Sequence, residues 1–324
     1  MRRRLPTLRA AVSHLWRADA PLTLTGVVML PALTFAAAGL LLDSRLIAGA
    51  PAWLKPAKFA ASALIYSLTL AWMFGYLQGW VRTRRLVGRI TAGVFVLEIG
   101  LVYLQAWRGT TSHFNVGNPL DALVFGVMGV AIVAQTIASA FVLVALWRQP
   151  FTDRAMGTAL RAGMCITLLG AASAGFMTRP TAAQLHEVKT TGALPIAGAH
   201  TVGGVDGGPG LPGTGWSTAH GDLRVPHFVG LHALQALPLL ALAMGRRRRD
   251  AASRTVARAA VSYGALFALL LGQALRGEAL FAPSPLMLSL FAAWGVISAA
   301  AIWSAAVARS HRGWSTSSKA ATVY

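Results

Sequence analysis

The chain has 324 residues, 55% of them hydrophobic and only 12% charged, with a mean hydropathy of +0.57 and a formal net charge of +19. Soluble domains carry about a quarter charged residues, so this composition excludes an ordinary soluble protein and places the chain in lipid. Spans of about 20 residues leave room for roughly eight helices and one sizeable loop, and the positive charge reads as a topology signal and not as a nucleic-acid footprint.

The chain opens with a basic segment, residues 1–21, carrying Arg2, Arg3, Arg4, Arg9 and Arg17. Its first long apolar run begins some twenty residues in and is too long for a cleavable signal, so it reads as a retained anchor. Leu8, Val12, Leu15 and Trp16 fall on one side of a short helix, which suits the surface of an anionic inner leaflet. A transmembrane domain follows over residues 22–308, with apolar runs at 23–42, 59–77, 90–107, 120–147, 160–177, 228–244, 259–275 and 286–307. Residues 309–324 form a tail. Of the 29 Lys and Arg, 21 lie in the termini and the even-numbered connections, so the positive-inside rule puts both ends in the cytoplasm and predicts an eight-span, all-α bundle of the inner membrane.

Ahead of the second span, Trp53-Leu54-Lys55-Pro56-Ala57-Lys58-Phe59 places two lysines on the outer side, against the charge bias. Snorkelling beside an interfacial Trp explains them, and so does an outer site where Lys55, Lys58, Arg108 and Arg224 hold an anion such as a haem propionate, a lipid head group or an acidic substrate. In the third span Glu98 stands near mid-membrane, where an ionised carboxylate is costly and faces the interior, a partner or water. Gln105 returns to nearly the same face seven residues later, and Arg108 carries the stripe to the outer interface. Asp121, Met128 and Gln135 repeat the seven-residue spacing on the fourth span. Helix–helix hydrogen bonding is the plainer reading of the amides.

Cys165, the only cysteine, lies in the fifth span and excludes an intramolecular disulfide, a Cys-ligated iron–sulfur cluster and a multi-Cys zinc site. The fifth and sixth spans are joined by an outer loop, residues 179–225, whose middle, residues 203–215, is too rich in Gly and Pro for helix or sheet and reads as a lid or linker. The sixth span opens with His227, and His232 follows five residues on. The two imidazoles are then roughly 140° apart on a helix, poorly set to hold one metal as a helical pair. His232 and Gln235 share a face, and Pro238 is expected to kink the helix just below them. With His113 before the fourth span, and His186, His200 and His220 in the loop, the outer side holds most of the eight histidines.

No Walker glycine loop, HExxH or nucleophile elbow is present, and no internal repeat is visible. Three functional expectations remain, and they leave open whether the chain is an enzyme. The first is a membrane redox or haem-binding protein, with haem b or a metal ion ligated by His232 with His113 or His227 and protons handled by Glu98, Gln105, His232 and Gln235. The second is a proton-coupled transporter of a small molecule taken from the extracytoplasmic side, with Glu98 and His232 as the titrating gate. The third is a scaffold or sensor whose polar stripes only join helices. Each has the bilayer as its partner and none needs nucleic acid.

Overall fold

The computed structural model describes residues 7–245 and 249–307, so the charges counted at Arg2 to Arg4, at Arg246 to Arg248 and in the tail lie outside the described residues. The fold is all-helical. A short amphipathic helix, α1 (Leu8–Ala18), leads into α2 (Ala20–Leu42), a hairpin of two-residue strands β1 (Leu46–Ile47) and β2 (Ala50–Pro51), then α3 (Leu54–Phe74), α4 (Val81–Arg108), α5 (Pro119–Arg148) and α6 (Arg154–Ser173). The long loop contributes α7 (Ala182–Thr191) and strands β3 (Thr201–Val202) and β4 (Gly221–Asp222), and α8 (Arg224–Leu231), α9 (Ala233–Met244), α10 (Arg249–Leu275) and α11 (Pro285–Val307) complete the chain. Seven helices are long and apolar enough to cross a membrane, and the bent pair α8–α9 makes up to eight, which agrees with a multi-pass membrane protein.

Local chemistry sets the helix starts. Asp19, Asn118 and Asp153 cap α2, α5 and α6 by accepting the backbone N–H three residues on, and Pro119 occupies the first turn of α5, where its missing N–H costs nothing. Four starts precede the apolar runs by five residues or more, with α6 at Arg154 and α10 at Arg249 among them. Helix α3 begins at Leu54 and α4 at Val81, so Lys55 and Lys58 are helical and Arg82 to Arg89 form the first turns of α4. Apolarity marks where a span enters lipid, whereas arginine and valine continue a helix well beyond that point.

The helices pack in two groups. α2 lies along α3 and α4 along α5, while α6 packs on α9 and α10, and α11 lies on α10. The main apolar core joins both groups through Leu70, Phe74, Val87, Val142, Leu146, Leu160, Leu234 and Val256. These residues belong to the end of α3, the beginning of α4, the end of α5 and the beginnings of α6, α9 and α10. The core therefore fills the half of the bundle away from the long loop. The ion pairs and the smaller aromatic clusters occupy the half beneath the loop, called the loop face here, while Asp19, Thr23, Thr25, Thr91, Gln149 and Thr255 are polar groups buried toward the other end.

The expected kink at Pro238 is not where the chain bends. Pro238 lies within α9, and the 41° break falls at His232. The reason lies in neighbouring helices. Gly170 of α6 and Gly230 of α8 approach so closely that a Cβ on either would meet the other's backbone inside 3 Å. At this crossing Tyr263 of α10 donates to the Val229 carbonyl at 2.7 Å, and Thr167 donates to the carbonyls of Gly230 and Leu231 at 3.4 and 3.3 Å. With their carbonyls served from outside, these residues can leave the helical ladder.

The long loop is folded onto the bundle. A capping box of Thr181 and Gln184 starts α7, β3 pairs with β4, and the Asn115–Ile196 bridge ties the loop to the α4–α5 connection. Residues 203–215 contain no helix or paired strand, as their composition implies, yet one isolated bridge, Gly210–Ser217, closes a turn there.

Candidate functional site

The two seven-residue stripes meet at the loop face. Asp121, 3% exposed, accepts from Gln105 Nε2 at 2.9 Å, from Asn118 Nδ2 at 2.6 Å, from Asn115 Nδ2 at 3.2 Å and from the Arg108 guanidinium, which also donates to Gln105. Gln105 and Arg108 are thereby committed to one carboxylate. Deeper along α5, Ser139 bonds Gln135 at 2.9 Å and Tyr66 of α3 at 3.1 Å, while Met128 packs with Val102 and Val124. Most of this is helix-to-helix adhesion.

Three of the four cations expected to form an anion site are already engaged. Arg108 pairs with Asp121, Arg224 pairs with Asp222 and donates to the Gly215 carbonyl, and Lys58 donates to the Thr214 carbonyl at 2.9 Å. Lys58 and Arg224 thus strap the Gly-rich loop across the top of the bundle. Lys55 differs: it is partly buried, and its ammonium lies 5.6 Å from the centre of the Phe59 ring, within electrostatic range of Lys58, Arg224, Glu98 and Asp206. It is the one of these four cations without an ion pair or hydrogen bond.

Imidazoles surround it. His113 packs edge-on against Phe59 at 5.4 Å with its Nδ1 3.1 Å from the Ser112 hydroxyl, and it senses the charges of Lys55, His200 and His227. Burial, reinforced by these neighbours, holds His113 well below the usual histidine range. His200 stacks on Phe114 at 5.0 Å and pairs through Nδ1 with Asp206 at 2.9 Å. Burial lowers its pKa against the pull of that carboxylate. Burial alone would raise Asp206, but bonds from His200 and Thr201 keep it below the ordinary range. His227 Nδ1 lies 2.7 Å from the Gly170 carbonyl, which can only accept, so Nδ1 carries the hydrogen and Nε2 faces onward.

Below this group stands Glu98. It is 3% exposed, both carboxyl oxygens are buried without a hydrogen-bond partner, and Lys55 is the charge whose field reaches it. A carboxylate so placed must be met by a proton or a counter-cation, because desolvation without either costs several kcal/mol, on the order of 2–7 even for an uncharged polar group. That condition sets Glu98 apart from Asp121, Asp206 and Asp222 of the loop face, which are all hydrogen-bonded.

His232 and Gln235 are not brought to Glu98. His232 rests on the Phe228 ring at 4.2 Å, and Gln235 Nε2 donates to Thr69 of α3 at 3.2 Å. Gln105 is engaged by Asp121 and Arg108, and of the Gln235 amide only Nε2 is bonded, its oxygen being buried without a partner. Among the described residues, no three His, Cys, Asp or Glu side chains converge as a metal site. Sequence reasoning missed two further members of the polar interior: Thr91 has a weak signature, since it precedes Glu98 by the same seven residues that separate Glu98 from Gln105, and Ser67 of α3 has none.

No protein-family model matches the chain, and no curated protein or solved structure is detectably similar to it.

Proposed function

We propose that the protein is a proton-coupled carrier of a small anion, set in the inner membrane with both termini in the cytoplasm and the long loop outside. The observation that carries this reading is the unpartnered Glu98 carboxyl within electrostatic range of Lys55, the one of the four outer cations that is not already engaged. Two anionic groups compete for that ammonium. With Glu98 neutral, Lys55 is free to hold a solute anion in the Phe59–His113 corner. With Glu98 ionised, Lys55 becomes its counter-ion and the anion is released. Proton and anion therefore bind together, which is the thermodynamic requirement for symport. A haem held between His113 and His227 is the second reading, favoured by their mutual electrostatic range and by the free Nε2 of His227.

Purified protein in liposomes tests the proposal with labelled acetate, succinate and inorganic phosphate as probes. An inward proton gradient should drive uptake of at least one of them. Lys55→Ala should reduce that uptake by about tenfold or more, as loss of a partly desolvated charge contact implies. If none of the three moves with or without the gradient, the carrier reading fails, and a Soret band in the same preparation would transfer support to haem.

Orientation has its own test. In a Cys165→Ser background, Thr214→Cys should react with a membrane-impermeant thiol reagent in intact cells and Ser253→Cys should not. The reverse pattern would turn the topology over.

A further inference from the structure

We infer that the proton held by Glu98 continues to the opposite face through water bridging Ser67 and Thr91, with Asp19 as the exit group. This rests on the carrier reading and adds the second half of the proton's route.

The argument begins with hydroxyls. Serine and threonine inside a helix ordinarily donate to the carbonyl four residues back, and Thr25, Thr34, Thr69 and Thr136 all do so, at 2.7 to 3.0 Å. Ser67 and Thr91 do not. Both are 0% exposed and neither hydroxyl has a partner. A buried hydroxyl left unbonded is costly, and a water molecule is the usual remedy in a polar interior.

Their heights form a series. On α4, Thr91 is seven residues, or about 10 Å, from Glu98 on nearly the same face. The Tyr66 ring of α3 meets the Phe95 ring of α4 at 5.4 Å, which sets Ser67 at a level between Glu98 and Thr91. The two intervals are each about 5 Å in height, a gap that one bridging water closes with two ordinary hydrogen bonds. One turn beyond Thr91, the Asp19 carboxylate lies against Gly88, so closely that a Cβ there would meet it. Asp19 is 8% exposed. Burial raises its pKa, opposed by the Leu22 N–H and the charges of Arg84 and Arg89, so it can take a proton and pass it on.

The transfer balances in simple terms. Glu98 gives its O–H proton to the first water, each O–H in the file passes one proton forward, and Asp19 accepts the last and releases it to bulk water. Glu98 is left as a carboxylate with Lys55 as counter-ion.

The experiment is proton uptake into liposomes loaded with a pH-sensitive dye and driven by a potassium diffusion potential, read beside the infrared carbonyl band of Glu98. Thr91→Val keeps the shape and removes the hydroxyl, and Ser67→Ala does the same on the facing helix. Each should slow proton uptake at least tenfold while the Glu98 band still responds to pH, since protons still reach it from the loop face. Asp19→Asn, which retains the helix cap, should slow release in the same way. A wild-type rate in either Thr91→Val or Ser67→Ala, with Glu98→Gln inactive, overturns the route and leaves the carrier reading standing. A wild-type rate in Glu98→Gln overturns both.

Discussion

Glu98→Gln should abolish proton-driven anion uptake while leaving anion binding intact at pH 5.5. The amide has the size of the acid and no charge at any pH, so it fixes the state in which Lys55 is free to hold an anion. Binding measured by calorimetry at pH 5.5 should then be at least as tight in the variant as in the wild type. Turnover should fall by at least 100-fold, because releasing the anion now depends on its dissociation against an unchallenged cation, at about 1.4 kcal/mol per factor of ten. Full uptake in Glu98→Gln, or loss of anion binding at pH 5.5, would remove Glu98 from the mechanism.

Asp121→Ala should instead act on the fold. The carboxylate accepts from four side chains and is nearly inaccessible. Its removal strands Gln105, which is 0% exposed, and leaves Arg108 without a counter-charge. Breaking a buried pair by deleting one partner costs about 3–5 kcal/mol, and the partial exposure of Arg108 favours the low end, about 3 kcal/mol. Thermal scans in detergent should show a clearly lowered midpoint, with Asp121→Asn intermediate because one acceptor oxygen survives. An unchanged midpoint in Asp121→Ala would mean that the network forms without holding α4 to α5.

Much of this was legible in the sequence, for identifiable reasons. Apolar runs separated by arginines locate spans because lipid tolerates neither charge nor open backbone, and the seven-residue spacing of Glu98 and Gln105, and of Asp121, Met128 and Gln135, marks faces that turn inward together. Which cations remain free was not legible for Arg108, whose partner comes from the next helix. For Arg224, Asp222 is only two residues away, yet spacing alone does not say that they pair. The same holds for His200, whose Asp206 partner is brought round by a turn in the loop. His232 was grouped with Glu98 for proton handling, and in the fold it rests on the ring of Phe228, one turn before it, while the Glu98 carboxyl has no hydrogen-bond partner. The bend was placed at Pro238 because proline is the local signal, while the cause lies in Gly170, Thr167 and Tyr263 on other helices. Local sequence cannot display such partners.

The uneven filling of the bundle, with the ion pairs beneath the loop and the main apolar core at the other end, also shapes how it would sense a transmembrane potential. Voltage falls where the medium is least polarisable. In the proposed orientation, the ion pairs and imidazoles of the loop half would carry the outer potential toward Glu98 and leave the larger share of the drop to the narrow file between Glu98 and Gly88, ten residues or about 15 Å. A charge arriving at Glu98 from outside would then cross the smaller part of the field, and one moving on to Asp19 the larger. At about 2.3 kcal/mol per elementary charge per 100 mV, the inner step would carry most of the voltage dependence of the cycle.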